Sequence, residues 1–272
     1  MTTIAFIGGG NMASAILGGL IENGFNSNDI FVSDPSEEKL AELAKQFSVN
    51  TTNDNNAVIA QADVVILAVK PQVMQHVIAP LKTVLADKKP LVISVAAGIS
   101  LDSLSAWTDP DLSIVRCMPN TPALVQQGAS GLLANANVSD DEKDLTNSIL
   151  NAVGISVWVN SETELDAVTA LSGSGPAYFF LFIESMIAAG TELGLAPNTA
   201  KQLALQTALG AATMASRSEL EPAQLRKNVT SPNGTTEQAI LSFQKQGLET
   251  TVKTAMEAAF NRSIELSKEL AQ

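Results

Sequence analysis

The chain is poor in the residues that most often announce chemistry. Among its 272 residues there is one cysteine, Cys117, and one histidine, His76. A lone cysteine excludes an internal disulfide and suits a reducing compartment, so a cytoplasmic protein is expected. With no histidine accompanying it, Cys117 reads as a buried filler rather than a nucleophile. His76 falls inside the helical run after Pro71 and reads as packed or exposed rather than catalytic. No metal site is expected. Basic patches are missing as well: the formal charge is −12, and no block of like charge exceeds a few residues. Without such a patch the phosphates of a nucleic acid could not be neutralised, so that class of partner is excluded. Any anionic ligand must be held by local donors and helix ends rather than by the overall field. Long apolar runs are also lacking. The stretch 175–190 is interrupted by Glu184 and is too short to span a bilayer, which needs roughly 20 residues. The start, Met1-Thr2-Thr3, has no basic region and its apolar run breaks at Gly8, so neither a signal peptide nor a membrane partner is expected.

The sequence does contain enough apolar material, 46% of residues, for one large core or two modest ones. Up to about residue 162, short apolar runs alternate with helical patterns. The runs at 4–7, 30–32, 64–69, 91–95 and 114–115 read as buried strands, with two more near 130–133 and 155–159. The clearest helix runs from Asn11 toward Gly24, with Met12, Ile16, Leu17, Leu20 and Ile21 on one face and a glycine where a C-terminal cap belongs. Ser139-Asp140-Asp141-Glu142 opens another helix. Strand–helix alternation of this kind predicts an α/β fold with a doubly wound sheet. Beyond residue 162 only helical periodicity is visible. Its last helix carries a stripe of Leu248, Val252, Met256, Ala259, Ser263, Leu266 and Leu270. Such a stripe needs a partner surface, either in its own domain or in a second copy. The expected domains are therefore 1–162 and 163–272.

Gly8-Gly9-Gly10-Asn11-Met12-Ala13 lies between the first strand and the first helix. It fits the G-x-G-x-x-A fingerprint of a dinucleotide site: Gly8 for the tight turn, Gly10 for approach of the pyrophosphate, Ala13 for close helix–strand packing. Asp34 ends the second strand, where an acid accepts from a ribose 2′-hydroxyl and repels a 2′-phosphate, which favours NADH. Asp34-Pro35-Ser36-Glu37 also reads as a helix start, and Lys39 could soften the local field, so NADPH stays open. Ala68-Val69-Lys70-Pro71 and Ala96-Ala97-Gly98 end further strands, and Lys70 reads there as a ligand contact. At the other end of the chain, Val229-Thr230-Ser231-Pro232-Asn233-Gly234-Thr235-Thr236 turns into a helical run through Glu237. Hydroxyls at the cap and an acid in the first turn mark a helix start, which can receive a small carboxylate.

Taken in order, these segments resemble the pyrroline-5-carboxylate reductase family. The resemblance rests on Phe6 to Ala13, Ala68 to Pro71, Ser94 to Gly98, Arg116 to Pro122, Ser172 to Tyr178 and Val229 to Thr236. It implies a Rossmann-type, mostly parallel doubly wound sheet followed by an all-α C-terminal dimerisation domain, in a homodimer or larger homo-oligomer. It implies reduction of the cyclic imine Δ1-pyrroline-5-carboxylate to L-proline by NADPH or NADH. Carried over by position, Gly8, Gly9, Gly10, Asn11, Met12, Ala13, Asp34, Asn55, Ala68, Val69, Lys70, Pro71, Ala96, Ala97, Gly98 and Asn228 contact the cofactor. Glu162, Ser231, Asn233, Gly234, Thr235 and Thr236 bind substrate, with Thr236 as the hydroxyl beside the imine nitrogen. Hydroxyacid dehydrogenases of similar plan carry a lysine in the helix after a glycine-rich segment; here that helix reads Gly175-Pro176-Ala177-Tyr178-Phe179-Phe180 and has none.

Overall fold

The computed structural model describes residues 2–271. Eight strands form one sheet: β1 (Ile4–Ile7), β2 (Ile30–Ser33), β3 (Asn50–Thr52), β4 (Val64–Leu67), β5 (Leu91–Ser94), β6 (Ile114–Met118), β7 (Gly128–Ala134) and β8 (Gly154–Trp158). Their order is β3-β2-β1-β4-β5-β6-β7-β8. All neighbours run parallel except β6 and β7. Both faces of β1, β4 and β5 are buried, which is why their sequences are apolar runs, broken only by Ser94 at the end of β5, instead of alternating ones. The order of strands reverses between β1 and β4, so the crevice at their carboxyl ends is the ligand position of an open α/β sheet.

Helices cover both faces. On one, α1 (Asn11–Glu22) sets Ala13, Ile16, Leu17 and Leu20 against Phe6, Val32 and Ile66. The other face is covered by α4 (Met74–Ile78) and α5 (Lys82–Lys88), whose Met74, Ile78 and Leu85 meet Ala5, Ile7, Val65 and Leu67. Four more helices complete the layer: α2 (Glu37–Phe47), α3 (Asn55–Ile59), α6 (Leu101–Trp107) and α7 (Asp140–Asn151). In α7 a reciprocal capping box joins Ser139 and Glu142, as the acidic opening of that helix predicts. His76 lies on α4 and is exposed.

Beyond the sheet lie α8 (Glu162–Val168), a π-helical segment Thr169–Gly173, and α9 (Gly175–Glu192), α10 (Pro197–Arg217), α11 (Pro222–Asn228), α12 (Thr235–Lys245) and α13 (Leu248–Leu270). The chain forms two compact units. One holds the residues through Ser174 together with the stretch from Ala259 onward; the other runs from Gly175 to Ala258. The division thus falls after the π-helical segment and returns the end of α13 to the first unit, where the sequence placed one boundary at 162. Within the first unit, Ser263 is buried and its hydroxyl donates to Asp166 Oδ1 at 2.6 Å. Leu270 packs on the sheet core. In the second unit, Phe179, Phe180, Leu181, Leu209 and Met214 are each more than half exposed. Among the described residues, no helix is long and apolar enough to cross a membrane.

Cys117 on β6 is 2% exposed, and burial pushes its thiol up to about 12, opposed by a hydrogen bond with Ser130. A thiol held neutral in the fold ionises in the unfolded chain first. Its contribution is therefore intact below pH about 8.5 and is lost as pH rises toward 12, by about 1.4 kcal/mol per pH unit at most. We expect no reaction with a disulfide reagent at pH 8 until denaturant is added; rapid labelling of the native protein would contradict this burial.

Candidate active site

The glycine turn is built so that its amides face outward. Gly8 has φ +101, and a Cβ there would lie 2.8 Å from the carbonyl oxygen of Ala68, so the turn after β1 accepts no side chain. Gly8 N donates to the Ser33 carbonyl and Ala68 N to the Ile7 carbonyl, which fixes the ends of β1, β2 and β4 together. Gly10 caps α1 without a side-chain hydrogen bond, and a Cβ on it would meet nothing within 4 Å. No acid stands in the first turn of α1. The first amides of that helix lack intrahelical acceptors, and the dipole is positive there. A pyrophosphate fits this opening, and glycine at position 10 has no packing reason of its own.

Asp34 closes the back of the turn. It is 6% exposed; its Oδ2 accepts from Gly9 N and its Oδ1 from Ser36 N, both at 2.9 Å. Lys39 Nζ lies 3.6 Å from Oδ2. The cap of α2 is Ser36, whose hydroxyl accepts from Lys39 N, so Pro35 precedes the helix rather than opening it. Beside Asp34, Ser33 Oγ is buried with no hydrogen-bond partner among the described residues. An orphaned hydroxyl at the end of β2 is consistent with a polar ligand group or water at this edge.

The remaining positions of the first unit that are expected at the cofactor cluster along the carboxyl ends of the strands. Ala68 and Val69 are partly buried, Lys70 is exposed, and Pro71 begins a short 3₁₀ turn. Asn55 opens α3, behind the Asp54 cap. Ala96 is buried, Ala97 exposed, and Gly98 takes φ +77, with Leu270 Cδ1 3.0 Å from where its Cβ would be. Glu162, expected at the substrate, is engaged within this unit: Oε1 accepts from Leu101 N at 2.8 Å and Oε2 pairs with Arg116. Burial lowers the Arg116 guanidinium to about 10, opposed by the Asp166 carboxylate. Arg116 enters the sequence reading only as the first residue of the Arg116–Pro122 motif, with no role of its own, and Asp166 does not enter it. An arginine in the middle of an apolar strand is the signal that would have found the pair.

In the second unit the turn before α12 departs in detail from its sequence reading. Gly234, not a hydroxyl, occupies the cap, and Thr235 and Thr236 are the first two residues of the helix. Asn233 adopts φ 58, a left-handed conformation that asparagine tolerates. Its amide is taken by Glu237 Oε2 at 2.8 Å, and the Gly234 amide by the Ser231 carbonyl at 3.0 Å. Those two amides are therefore spent on the turn, and the ones left to receive an anion are at Thr235, Thr236 and Glu237. Phe182 of α9 and Phe243 of α12 meet with ring centroids 6.1 Å apart, which seats the helix. Asn228 ends α11, its Oδ1 accepting from Gln224 Nε2. Among the described residues no group of His, Cys, Asp and Glu is placed to hold a metal ion.

Comparison with known proteins bears directly on these features. Residues 162–266 match a family described as pyrroline-5-carboxylate reductase dimerisation, and residues 3–98 one described as NADP oxidoreductase, coenzyme F420-dependent. A pyrroline-5-carboxylate reductase of Pseudomonas aeruginosa is 52% identical over 99% of this chain and 98% of its own. The chain belongs to the pyrroline-5-carboxylate reductase family. A solved reductase of this family from Coxiella burnetii is 47% identical with TM-score 0.95, covering 98% of each chain. A Plasmodium falciparum pyrroline carboxylate reductase, solved with NADP bound, is 33% identical with TM-score 0.86, again over 98% of each chain.

Proposed function

We propose that the chain reduces the cyclic imine of Δ1-pyrroline-5-carboxylate to L-proline with NADPH or NADH, the last step of proline biosynthesis. The observation that carries this reading is the start of α12: three amides open to a carboxylate and a threonine hydroxyl beside them. The bound cofactor supplies a hydride from nicotinamide C4. The substrate carboxylate docks on the amides of Thr235, Thr236 and Glu237, favoured by the helix dipole. Ser231, Asn233 and Gly234 hold the turn that exposes them. Thr236 Oγ1 hydrogen-bonds the ring nitrogen, orients C5, and relays a proton from water, because an iminium accepts hydride far better than a neutral imine. Most of the rate gain is positional. Glu162 serves through its grip on Leu101 N, which orders the loop at Ala96, Ala97 and Gly98.

The cofactor lies along Gly8 to Ala13, Asn55, Ala68 to Pro71 and Ala96 to Gly98. The exposed apolar side chains of α9, α10 and α13 support assembly into a homodimer or larger homo-oligomer. A lone, reduced, buried thiol supports a cytoplasmic location.

The direct test is NAD(P)H absorbance with pyrroline-5-carboxylate, run beside 3-hydroxy acids with oxidised cofactor. Oxidation of NAD(P)H by the imine alone is expected. Turnover of hydroxy acids, or cofactor binding with no turnover of the imine, would overturn the reading. Gly10→Ala is expected to leave the melting temperature nearly unchanged, because a Cβ there meets nothing. It should weaken dinucleotide binding about tenfold, since only a close-approaching pyrophosphate needs that glycine. Unaltered affinity in a titration would remove Gly10 from the site.

A further inference from the structure

We propose that Arg116 is a positioning residue for the dinucleotide: acting through Glu162, it fixes the loop at Ala96, Ala97 and Gly98. This rests on the cofactor reading above, which puts that loop at the dinucleotide. Arg116 is the only charged residue of β6 and pairs in register with Ser94, the last residue of β5. It therefore stands level with the point where the loop leaves the sheet. Val115 and Cys117, on either side of it, enter the core beneath α1, so Arg116 points to the opposite face, where Leu101 and Leu104 of α6 pack. Its Nη1 donates to Glu162 Oε2, and Glu162 Oε1 accepts from Leu101 N at 2.8 Å. Leu101 is the first residue of α6, so its amide has no acceptor within that helix. Glu162 thus ties the end of β6 to the start of α6, with the loop ahead of that start. The end of α13 fixes the same region: Leu270 lies against Gly98, and the Ser263 hydroxyl donates to Asp166, the carboxylate whose charge also acts on Arg116.

Stability is a weak reason for such a pair. A buried ion pair is costly to desolvate, and apolar residues of similar volume often serve a fold equally well. Position 116, between two core residues, is a place for one of them. Glu162 is 41% exposed and can stay hydrated without a partner, whereas the arginine side chain is only 7% exposed. What the cation adds is direction. Without it the carboxylate is free to swing into water, and the Leu101 amide loses its fixed acceptor. The loop then keeps its contact with Leu270 but not its tie to β6.

Calorimetric titration of the intact protein with NADH and NADPH measures affinity and the number of sites separately. Arg116→Met and Glu162→Ala are each expected to weaken the better-bound dinucleotide about tenfold. The double variant should lose no more than about threefold further, because the two residues act as one unit. Arg116→Lys should stay within about threefold of the parent, since one N–H makes the contact. A purely structural role would lower the melting temperature and the number of sites and leave the affinity of each site unchanged. Parent affinity in the folded fraction of either single variant, losses that multiply in the double variant, or no rescue by lysine would overturn the proposal. The double variant removes cation and carboxylate together and is expected to melt close to the parent. Its failure to fold would make the pair a folding requirement and overturn the proposal too. Failure of both dinucleotides to bind the parent would instead overturn the dinucleotide reading and this inference with it.

Discussion

Thr236→Ala lowers kcat/KM for pyrroline-5-carboxylate by about 100-fold or more, and Thr236→Ser keeps most of the activity. The expectation follows from what surrounds the residue. Thr236 is the second residue of α12 and is exposed in the chain, so truncation leaves no cavity and alanine suits a helix at least as well. The backbone amides that receive the carboxylate remain. What disappears is one hydroxyl, and with it the group assigned to the ring nitrogen. The loss should therefore fall chiefly on kcat, with KM and melting temperature little changed. Activity within about twofold of the parent would remove Thr236 from the proton path, because positioned proton donors contribute about 10²–10⁴. A large rise in KM at constant kcat would instead make the hydroxyl a uniform binding contact.

Gly154→Ala is expected to be the most destabilising single methyl in the sheet. Gly154 opens β8 with φ +150 and pairs with Gly128 of β7. A Cβ there would sit 2.0 Å from the Gly128 oxygen and 2.5 Å from its nitrogen. These are backbone atoms of a hydrogen-bonded strand, so no side-chain rotation relieves the overlap; β7 and β8 must part. The cost should reach about 4 kcal/mol or more, combining backbone strain with overpacking. Gly24→Ala is the control: φ is +90 but nothing lies within 4 Å, so only the conformational penalty of about 1 kcal/mol applies. Denaturant melts of the two variants compare them directly. Equal stability losses would show that the strands at Gly128 and Gly154 can yield.

The parallel sheet was legible because strands buried on both faces are apolar nearly throughout, as Val64–Leu67 is and as Leu91–Ser94 is up to its last residue. The glycine turn was legible because it sat between such a strand and a helix. Asn50–Thr52 was not: β3 is a three-residue polar edge strand, anchored partly by Asn50 Nδ2 on the carbonyls of Asn28 and Ile30. Polar side chains at half-exposed positions carry no periodic signal. At the candidate site the positions of Thr235 and Thr236 were readable, but the capping by Gly234 was not, since glycine and threonine both suit a cap. Nor could sequence show that Asp34 is bonded to Gly9, a contact across 25 residues. Whether a charge faces ligand or backbone is settled by tertiary placement, and periodicity is silent about it. The stripe on α13 was correct as a pattern, yet its two halves have different employment: Val252 is largely exposed and Ser263 is buried against Asp166.

During synthesis on the ribosome, the unit that carries the sheet is begun before the helical unit and finished after it. Residues through Ser174 leave the tunnel while the segment that completes their unit, from Ala259 onward, has yet to be made. At roughly 5–20 residues per second that gap lasts several seconds. Throughout it, Asp166 lacks the Ser263 hydroxyl and the loop at Gly98 lacks Leu270. Synthesis of the segment from Ala259 onward, not sheet formation, thus becomes the event that completes this unit. Loss of the last turns of α13 should reach the loop at Gly98 directly, although the two are remote in sequence.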